Sequence, residues 1–142
     1  YILRKAFPLF QRMGNKNGRM ECFESLAAMY SSQSRFSEAK WYYLQANIMA
    51  NKLNNIPAQV STLLNIAQVK NKIGETELAL SDYQQAESLA REYNFVVKLI
   101  EIKGDIGEIY RKKGNYIAAG TALEEYNKLK DSFLNNNNLQ VF

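Results

Sequence analysis

A repeat of forty residues is the feature that most constrains how this chain of 142 residues can fold. Alanine, large apolar residues and small residues each recur at fixed positions of the period. In sequence order the ladders are Ala39, Ala79 and Ala119; Ala6, Ala46 and Ala86, with Tyr126 next; Leu3, Tyr43, Tyr83 and Leu123; Leu26, Ile66 and Ile106; and Ser34, Gly74 and Gly114. Ladders that share one phase predict stacked copies of one supersecondary unit, because a single copy cannot bury its apolar face alone.

Each period reads as two amphipathic helices. Apolar residues from Leu63 to Ile73 recur at spacings of three and four, and the same spacing resumes after Gly74, from Ala79 to Tyr93. The predicted helices cover residues 18–33, 36–53, 57–73, 76–93, 95–113 and 116–134, with a further helix near 1–13 that Pro8 kinks or ends.

The residues at the helix ends fit this assignment. Pro57 suits a first helical turn, where its missing N–H costs nothing. Gly74 and Gly114 suit the left-handed position that ends a helix. Asn94 and Asn115 are predicted N-caps.

Small residues explain how two helices of a hairpin approach each other closely. One set lies on the first helix of each period and comprises Ala27, Ala67 and Gly107, and the other lies on the second helix and comprises Ala39, Ala79 and Ala119. Between successive hairpins, large aromatic residues fill the remaining space; they include Tyr30, Tyr43, Tyr83 and Tyr110.

Composition is that of a folded protein without a membrane span, and it argues against several function classes. The net charge of +4 is modest, and the basic residues are spread along the chain rather than gathered on one face, which disfavours a nucleic-acid partner. Arg111, Lys112 and Lys113 form the densest basic run, which we interpret as cations at a helix C-terminus.

An enzymatic function is disfavoured because the chain has no histidine and only one cysteine, Cys22. We interpret Cys22 as a buried structural thiol. Glu124 and Glu125 are adjacent on a helix and therefore point apart, so they are read as a solvated face rather than an acid–base couple. The sequence predicts no catalytic residue, no cofactor and no metal site.

The order of these residues resembles the tetratricopeptide repeat (TPR). In the first period it reads Leu26, Ala27, Tyr30, Ser34, Ala39, Tyr43 and Ala46, and corresponding positions follow forty and eighty residues later. The resemblance implies an all-α fold, a right-handed α–α superhelix of antiparallel hairpins, and a non-enzymatic scaffold that binds a protein or peptide. HEAT and armadillo repeats have similar periods but lack this pattern of alanine and aromatic residues. The segment from Tyr126 to Ser132 also resembles the end of TPR arrays in bacterial sensor and regulator proteins.

In this family the first helix of each hairpin lines a concave groove. Transfer of the groove positions gives a polar face in each of the three periods: Glu21, Glu24, Ser25, Ala28, Ser31 and Ser32; Ser61, Leu64, Asn65, Gln68, Asn71 and Lys72; and Glu101, Gly104, Asp105, Glu108, Arg111 and Lys112. We refer to these as the groove positions. The alternative is that each is an ordinary solvated helix face.

Members that bind chaperones carry a clamp of Lys, Asn, Asn, Lys and Arg for a peptide carboxylate. The matching positions here are Glu24, Ala28, Asn65, Glu101 and Asp105, and three of the five have the opposite charge. The sequence therefore predicts a groove that prefers a basic or polar segment, with a basic end at Lys72, Arg111 and Lys112.

We assign one TPR-like domain over residues 1–142, with a partial repeat at 1–16, repeats at 17–55, 56–94 and 95–134, and a tail at 135–142. Two residues depart from the pattern in the last repeat: Tyr126 replaces an alanine, and Lys103 stands where Phe23 and Leu63 stand earlier. The chain starts at a tyrosine, and we interpret it as a piece of a longer array; the alternative is a homodimer formed through its open ends. We expect a soluble domain of the bacterial cytoplasm or periplasm.

Overall fold

The computed structural model describes residues 15–136, and every regular element in that range is an α-helix. The six helices are α1 (Lys16–Ser32), α2 (Phe36–Lys52), α3 (Ile56–Lys72), α4 (Thr76–Glu92), α5 (Val96–Lys112) and α6 (Tyr116–Asn136). The six helices predicted in this range are confirmed, each boundary to within two residues. The predicted helix at 1–13 lies outside the described residues, as does the predicted tail beyond Asn136.

The period of forty residues is built from two structurally equivalent units of twenty. Each helix begins twenty residues after the previous one, and each connecting turn contains one residue with a positive φ. These residues are Ser34 (59°), Asn54 (53°), Gly74 (90°), Asn94 (59°) and Gly114 (80°). In every turn the next residue donates its N–H to a carbonyl five residues earlier, over 2.8–3.0 Å. This hydrogen-bond pattern is the Schellman motif, which satisfies the last carbonyls of the preceding helix.

The helix caps follow the predictions in part. Pro57 lies in the first turn of α3, and Asn115 caps α6 by accepting a hydrogen bond from the N–H of Ala118 at 3.1 Å. The predicted N-cap at Asn94 is wrong, because Asn94 is the left-handed residue that ends α4. Asparagine tolerates that conformation better than most residues do, so Asn94 ends α4 instead of capping the start of α5.

Two N-caps were not predicted. Asn15 accepts a hydrogen bond from the N–H of Gly18 at 2.8 Å, and Asn55 accepts one from the N–H of Ala58 at 3.1 Å. Together with Asn115 they place a capping asparagine before α1, α3 and α6.

The residues form two compact units, one up to Asp82 and one from Tyr83, and the division falls within α4. In the first unit, α1 packs on α2 and α2 packs on α3. The core of this unit contains five residues at the predicted repeat positions, Ala27, Tyr30, Ala39, Tyr43 and Ile66, together with Val69, which was not predicted. The alanines lie where a larger side chain would hold two helices apart.

In the second unit, α5 packs on α6 through glycine. A Cβ at Gly107 would lie 3.5 Å from the Cβ of Ala122, which confirms the predicted packing role of Gly107. A Cβ at Gly104 would lie only 3.3 Å from the Tyr126 ring. Gly104 therefore makes room for the tyrosine that replaces alanine in this repeat.

Candidate functional site

The groove positions of α1 form a continuous polar face. Glu21, Ser25, Ala28 and Ser32 are exposed, while Glu24 and Ser31 are half-buried, and the core residues of α1 occupy the opposite side. The burial pattern follows the helical period, so side chains three and four residues apart share one environment. This face carries two carboxylates.

The Glu24 carboxyl is partly shielded from solvent on this face, and its pKa is shifted as a result. Burial, followed by the nearby charge of Glu21, raises the pKa of the Glu24 carboxyl above its ordinary value. The anion of Glu24 therefore lies in a partly desolvated site that a cation would stabilise.

The groove positions of α3 are sheltered rather than fully exposed. Ser61, Asn65, Gln68 and Asn71 are all half-buried, and Lys72 at the end of the helix is exposed. Asn71 accepts a hydrogen bond from the Thr76 hydroxyl over 3.2 Å, so its side chain is partly committed to the turn. Half-buried amides and hydroxyls retain hydrogen-bonding capacity toward a bound backbone.

Leu64 is a groove position that the structure contradicts. Its side chain is only 1% exposed, so it belongs to the core and is not available to a partner. The transferred position is apolar in this chain, and an apolar side chain that can turn inward is stabilised by burial.

In the second unit, the groove positions of α5 are held by local interactions. Glu101, Glu108, Arg111 and Lys112 are exposed. Asp105 is half-buried and accepts a hydrogen bond from the Tyr83 hydroxyl at 2.8 Å. Burial, and then the Asp105 carboxylate, raise the pKa of the Tyr83 hydroxyl far above its ordinary value, so Tyr83 remains a donor. Gly104, also a groove position, packs against Tyr126.

The predicted basic end at Arg111 and Lys112 is partly neutralised. Arg111 donates two hydrogen bonds to Glu108, at 2.6 and 3.0 Å, and the Lys112 Nζ lies 3.9 Å from the same carboxylate. The hydrogen bond from Arg111 lowers the pKa of Glu108, which keeps the carboxylate charged. These exposed pairs contribute little stability but leave a mixed rather than a purely basic surface.

The sequence did not predict an aromatic cluster in the first unit. The rings of Tyr30 and Tyr42 stack with centroids 5.4 Å apart, and Trp41 meets Tyr42 edge-on at 5.0 Å. Phe23 joins both at 6.1–6.3 Å. These four side chains line one part of a cleft of about 670 Å³ between α1 and α2, which we call the aromatic cleft. None of these four residues is a groove position, and the two on α2, Trp41 and Tyr42, lie on a helix to which the family pattern assigns no site.

The second unit contains a network of ion pairs instead. The Lys103 Nζ lies 3.0 Å from Glu87 and 3.1 Å from Glu125, and Arg91 contacts the same two carboxylates. We call these four residues the Lys103 network. Burial alone would raise the pKa of Glu125, but the hydrogen bonds from Arg91 and Lys103 hold it below its ordinary value. Glu125 therefore packs inward, while Glu124 pairs with Lys128 at 3.2 Å, so the two carboxylates point apart as predicted.

The remaining features concern the single thiol, metal binding and membrane insertion. Cys22 is buried, and burial followed by the charge of Glu21 raises the pKa of its thiol. Between residues 15 and 136, no cluster of His, Cys, Asp and Glu is arranged to hold a metal ion. Over the same residues, no helix combines the length and the apolar character needed to cross a bilayer.

Comparison with known proteins identifies the repeats. The paired helices and their recurring turns are those of a helical repeat protein. The family model described as tetratricopeptide repeat matches residues 60–93 and 100–133, and the starts of the two matches are forty residues apart. The chain therefore carries tetratricopeptide repeats, as its residue ladders predicted. A search of curated proteins finds no significant match.

Several solved structures share the fold of this chain. Aspartyl phosphate phosphatase F from Bacillus subtilis superposes with a TM-score of 0.85 at 19% identity, over 92% of this chain and 34% of that one. A Rap protein complexed with competence and sporulation factor gives 0.81 at 19% identity, over 89% of this chain and 35% of that one. BtubC from P. vanneervenii superposes with a TM-score of 0.77 at 15% identity, over 92% of this chain and 56% of that one.

This chain spans roughly a third of the length of the phosphatase and of the Rap protein, and about half of BtubC. At these identities the likeness establishes the fold alone. It confirms the predicted fold class, an all-α protein made of TPR-like helix hairpins.

Proposed function

We propose that this chain is a protein-interaction module that binds a peptide or protein segment through the polar faces of the first helices of its hairpins, which are α1 and α3 in the first unit and α5 in the second. The observation that carries the proposal is the recurrence of polar, exposed or half-buried side chains at the same register of these helices. Each of these helices also has a buried apolar side, so the polar side is available to a partner. The Rap-type structure with a bound factor supports the same use of this fold.

The charge of the groove positions favours a basic or polar segment. Glu21 and Glu24 lie on α1, and Glu101 and Asp105 lie on α5. Three of the five positions of the carboxylate-binding clamp of chaperone-binding members are acidic here, and these would repel a terminal carboxylate. A cationic side chain near Glu24 would instead stabilise an anion that is partly desolvated.

The class of protein that this module serves is proposed from the same likeness. One of the structures is an aspartyl phosphate phosphatase from Bacillus subtilis and another is a Rap protein with a bound factor. The segment from Tyr126 to Ser132 resembles the end of arrays in bacterial regulators. We therefore propose a regulatory arm of a bacterial signalling protein. A full-length gene product that also contains an output domain would support this role.

Peptide titration tests the charge preference. Labelled peptides of one length with net charges of opposite sign are titrated against the chain by fluorescence anisotropy. The basic peptides are expected to bind about tenfold more tightly, and the charge reversal Glu101→Lys is expected to remove most of that difference. Glu92→Lys is the matched control, because Glu92 is exposed on α4 and outside the groove positions. Equal binding of both peptides, or equal effects of the two reversals, contradicts the proposal.

A homo-oligomeric module is the second candidate, and one observation favours it. α6 exposes three large apolar side chains, Tyr116, Ile117 and Leu123, and Ile117 is 87% exposed. Exposed apolar side chains of this size on one helix are typical of a contact surface. Light scattering over a wide concentration range tests it: a mass that stays monomeric excludes the dimer, and Ile117→Asp should abolish any dimer that forms.

A further inference from the structure

The aromatic cleft has two chemically different ends. One stripe of α1 and one stripe of α2 line it, at spacings of three and four residues. Toward the turn between the helices, its walls are the rings of Phe23, Tyr30, Trp41 and Tyr42. Arg19, near the start of α1, and Lys52, at the end of α2, also line the cleft. Because consecutive helices joined by a short turn run antiparallel, these two cations lie at the same end.

Trp41 is the exposed ring at the aromatic end, while Tyr30 is buried and Phe23 and Tyr42 are half-buried. Trp41 is 53% exposed, and Leu44 and Ile48 continue the same stripe along α2 with more than a third of each side chain exposed. A cluster of indole, phenyl and aliphatic surface beside a concave space is typical of an interaction site rather than of a solvated helix.

The cationic end carries unbalanced charge. The described residues that line the cleft include Arg19 and Lys52 but no aspartate or glutamate. The Arg19 Nε is buried and has no hydrogen-bond acceptor among the described residues. By contrast Arg35, which lies 4.7 Å above the Tyr30 ring, already donates a hydrogen bond to Glu38 at 2.6 Å. Two cations line this end of the cleft without an acidic residue beside them, and a carboxylate from a partner would complement their charge.

We infer that the aromatic cleft binds an acidic segment of another protein, which places an aromatic or aliphatic side chain among the four rings and a carboxylate on Arg19. Tyr30 lies 11 residues after Arg19 on the same helix, which corresponds to about 16 Å at 1.5 Å per residue. The segment therefore carries its apolar anchor and its carboxylate roughly that far apart. The charge preference is opposite to that of the groove positions, so this site and the proposed function are independent.

Selection from a library tests the inference without a known ligand. Random peptides of about twelve residues, long enough to span the cleft, are selected on the full chain. Recovered peptides are expected to be enriched in aspartate and glutamate together with one large apolar residue. Their binding is then measured by anisotropy, and quenching or a shift of Trp41 fluorescence locates the contact, because the chain contains one tryptophan.

Two substitutions separate the two ends of the cleft. Trp41→Ala and Arg19→Gln are each expected to weaken the selected acidic peptides roughly ten- to thirty-fold, and Trp41→Phe is expected to retain most of the affinity. Lys128→Gln, an equal change of charge at an exposed residue of α6, is the control and should leave the affinity unchanged. Circular dichroism of each variant confirms that the helices are retained.

Several outcomes overturn the inference. They are a library that yields no binder, binders without acidic enrichment, and binders that ignore Arg19→Gln or Trp41→Ala. Displacement of the peptide by an oligonucleotide of equal charge that lacks an apolar anchor would show a general polyanion site instead. A Trp41 spectrum that changes with protein concentration alone would show that a second copy of the chain occupies the cleft. Binders lost in Glu101→Lys would place the contact on the groove positions.

Discussion

The first and last hairpins share one register but use different chemistry at their equivalent positions. Phe23 in the first repeat belongs to the aromatic cluster, and Lys103, eighty residues later, belongs to the Lys103 network. The second repeat shows the same change within the first unit. The stacked pair Tyr30 and Tyr42 becomes, forty residues on, the ion pair of Lys70 and Asp82 at 2.8 Å.

The comparison shows that the repeat fixes which positions meet but not how they interact. In the first hairpin Tyr30 stacks on Tyr42, and Trp41 lines the aromatic cleft with 53% of its surface exposed. Charged pairs with little exposure must satisfy each other because each partner has lost water. The exposed ring of Trp41 is therefore available to a partner, while the ionic positions are committed to the fold.

The largest expected effect comes from the Lys103 network. Lys103 is 13% exposed, and Lys103→Leu removes the cation that faces Glu87 and Glu125, with an expected loss of about 2–3 kcal/mol of unfolding free energy. Adding Glu125→Gln recreates the combination of Leu63 and Gln85 found forty residues earlier, and it should recover about 1 kcal/mol. Chemical denaturation of both variants checks this. A double variant no more stable than Lys103→Leu contradicts the assigned pairing.

A smaller effect is expected at the ion pair of the second repeat. Asp82→Asn leaves the Lys70 ammonium, 17% exposed, without its counter-charge, at a cost of about 1–2 kcal/mol. Lys70→Tyr combined with Asp82→Tyr copies the pair of the first hairpin and should come within about 1 kcal/mol of the parent. Thermal and denaturant unfolding measure both. If the double variant is less stable than Asp82→Asn, the two pairs are not interchangeable.

The smallest effect on the free energy of unfolding is expected at Glu24, where the substitution should be neutral or stabilising rather than destabilising. Because the pKa of Glu24 is raised in the folded state, the folded chain holds this proton more tightly than the unfolded chain does. Its contribution to stability is therefore fully present below the unfolded pKa and is lost as pH rises through the raised folded value. Glu24→Gln should be neutral or stabilise by at most about 0.5 kcal/mol at pH 7. Denaturation of the variant and the parent at pH 4 and pH 7 tests this, with Glu92→Gln as the exposed control.

The helices were predictable because their causes are local. The apolar spacing, Pro57 in the first turn of α3 and glycine at two of the five turns placed every described helix to within two residues. The Asn94 error shows the limit of local reasoning. Asparagine suits both an N-cap and a left-handed turn, and only the backbone path shows which role it has.

The candidate site was less predictable. The groove positions follow from the phase of the repeat, yet Leu64 turns into the core and Gly104 packs on Tyr126. Both outcomes depend on side chains from distant parts of the sequence. The aromatic cleft was missed because Trp41 and Tyr42 lie on a second helix, where the transferred positions assign no site.

The sequence by itself determined the repeat, its phase, the helices and the alanine positions at which they cross. These features follow from short-range periodicity and from the size of single residues, and both can be read from the amino-acid sequence alone. Only the tertiary structure decided that Lys103 would be buried among carboxylates, that Tyr126 would find space at Gly104, and that four rings and two cations would share one cleft. Such outcomes depend on which side chains meet after folding, because burial makes the free energy of a charge or a ring depend on its neighbours.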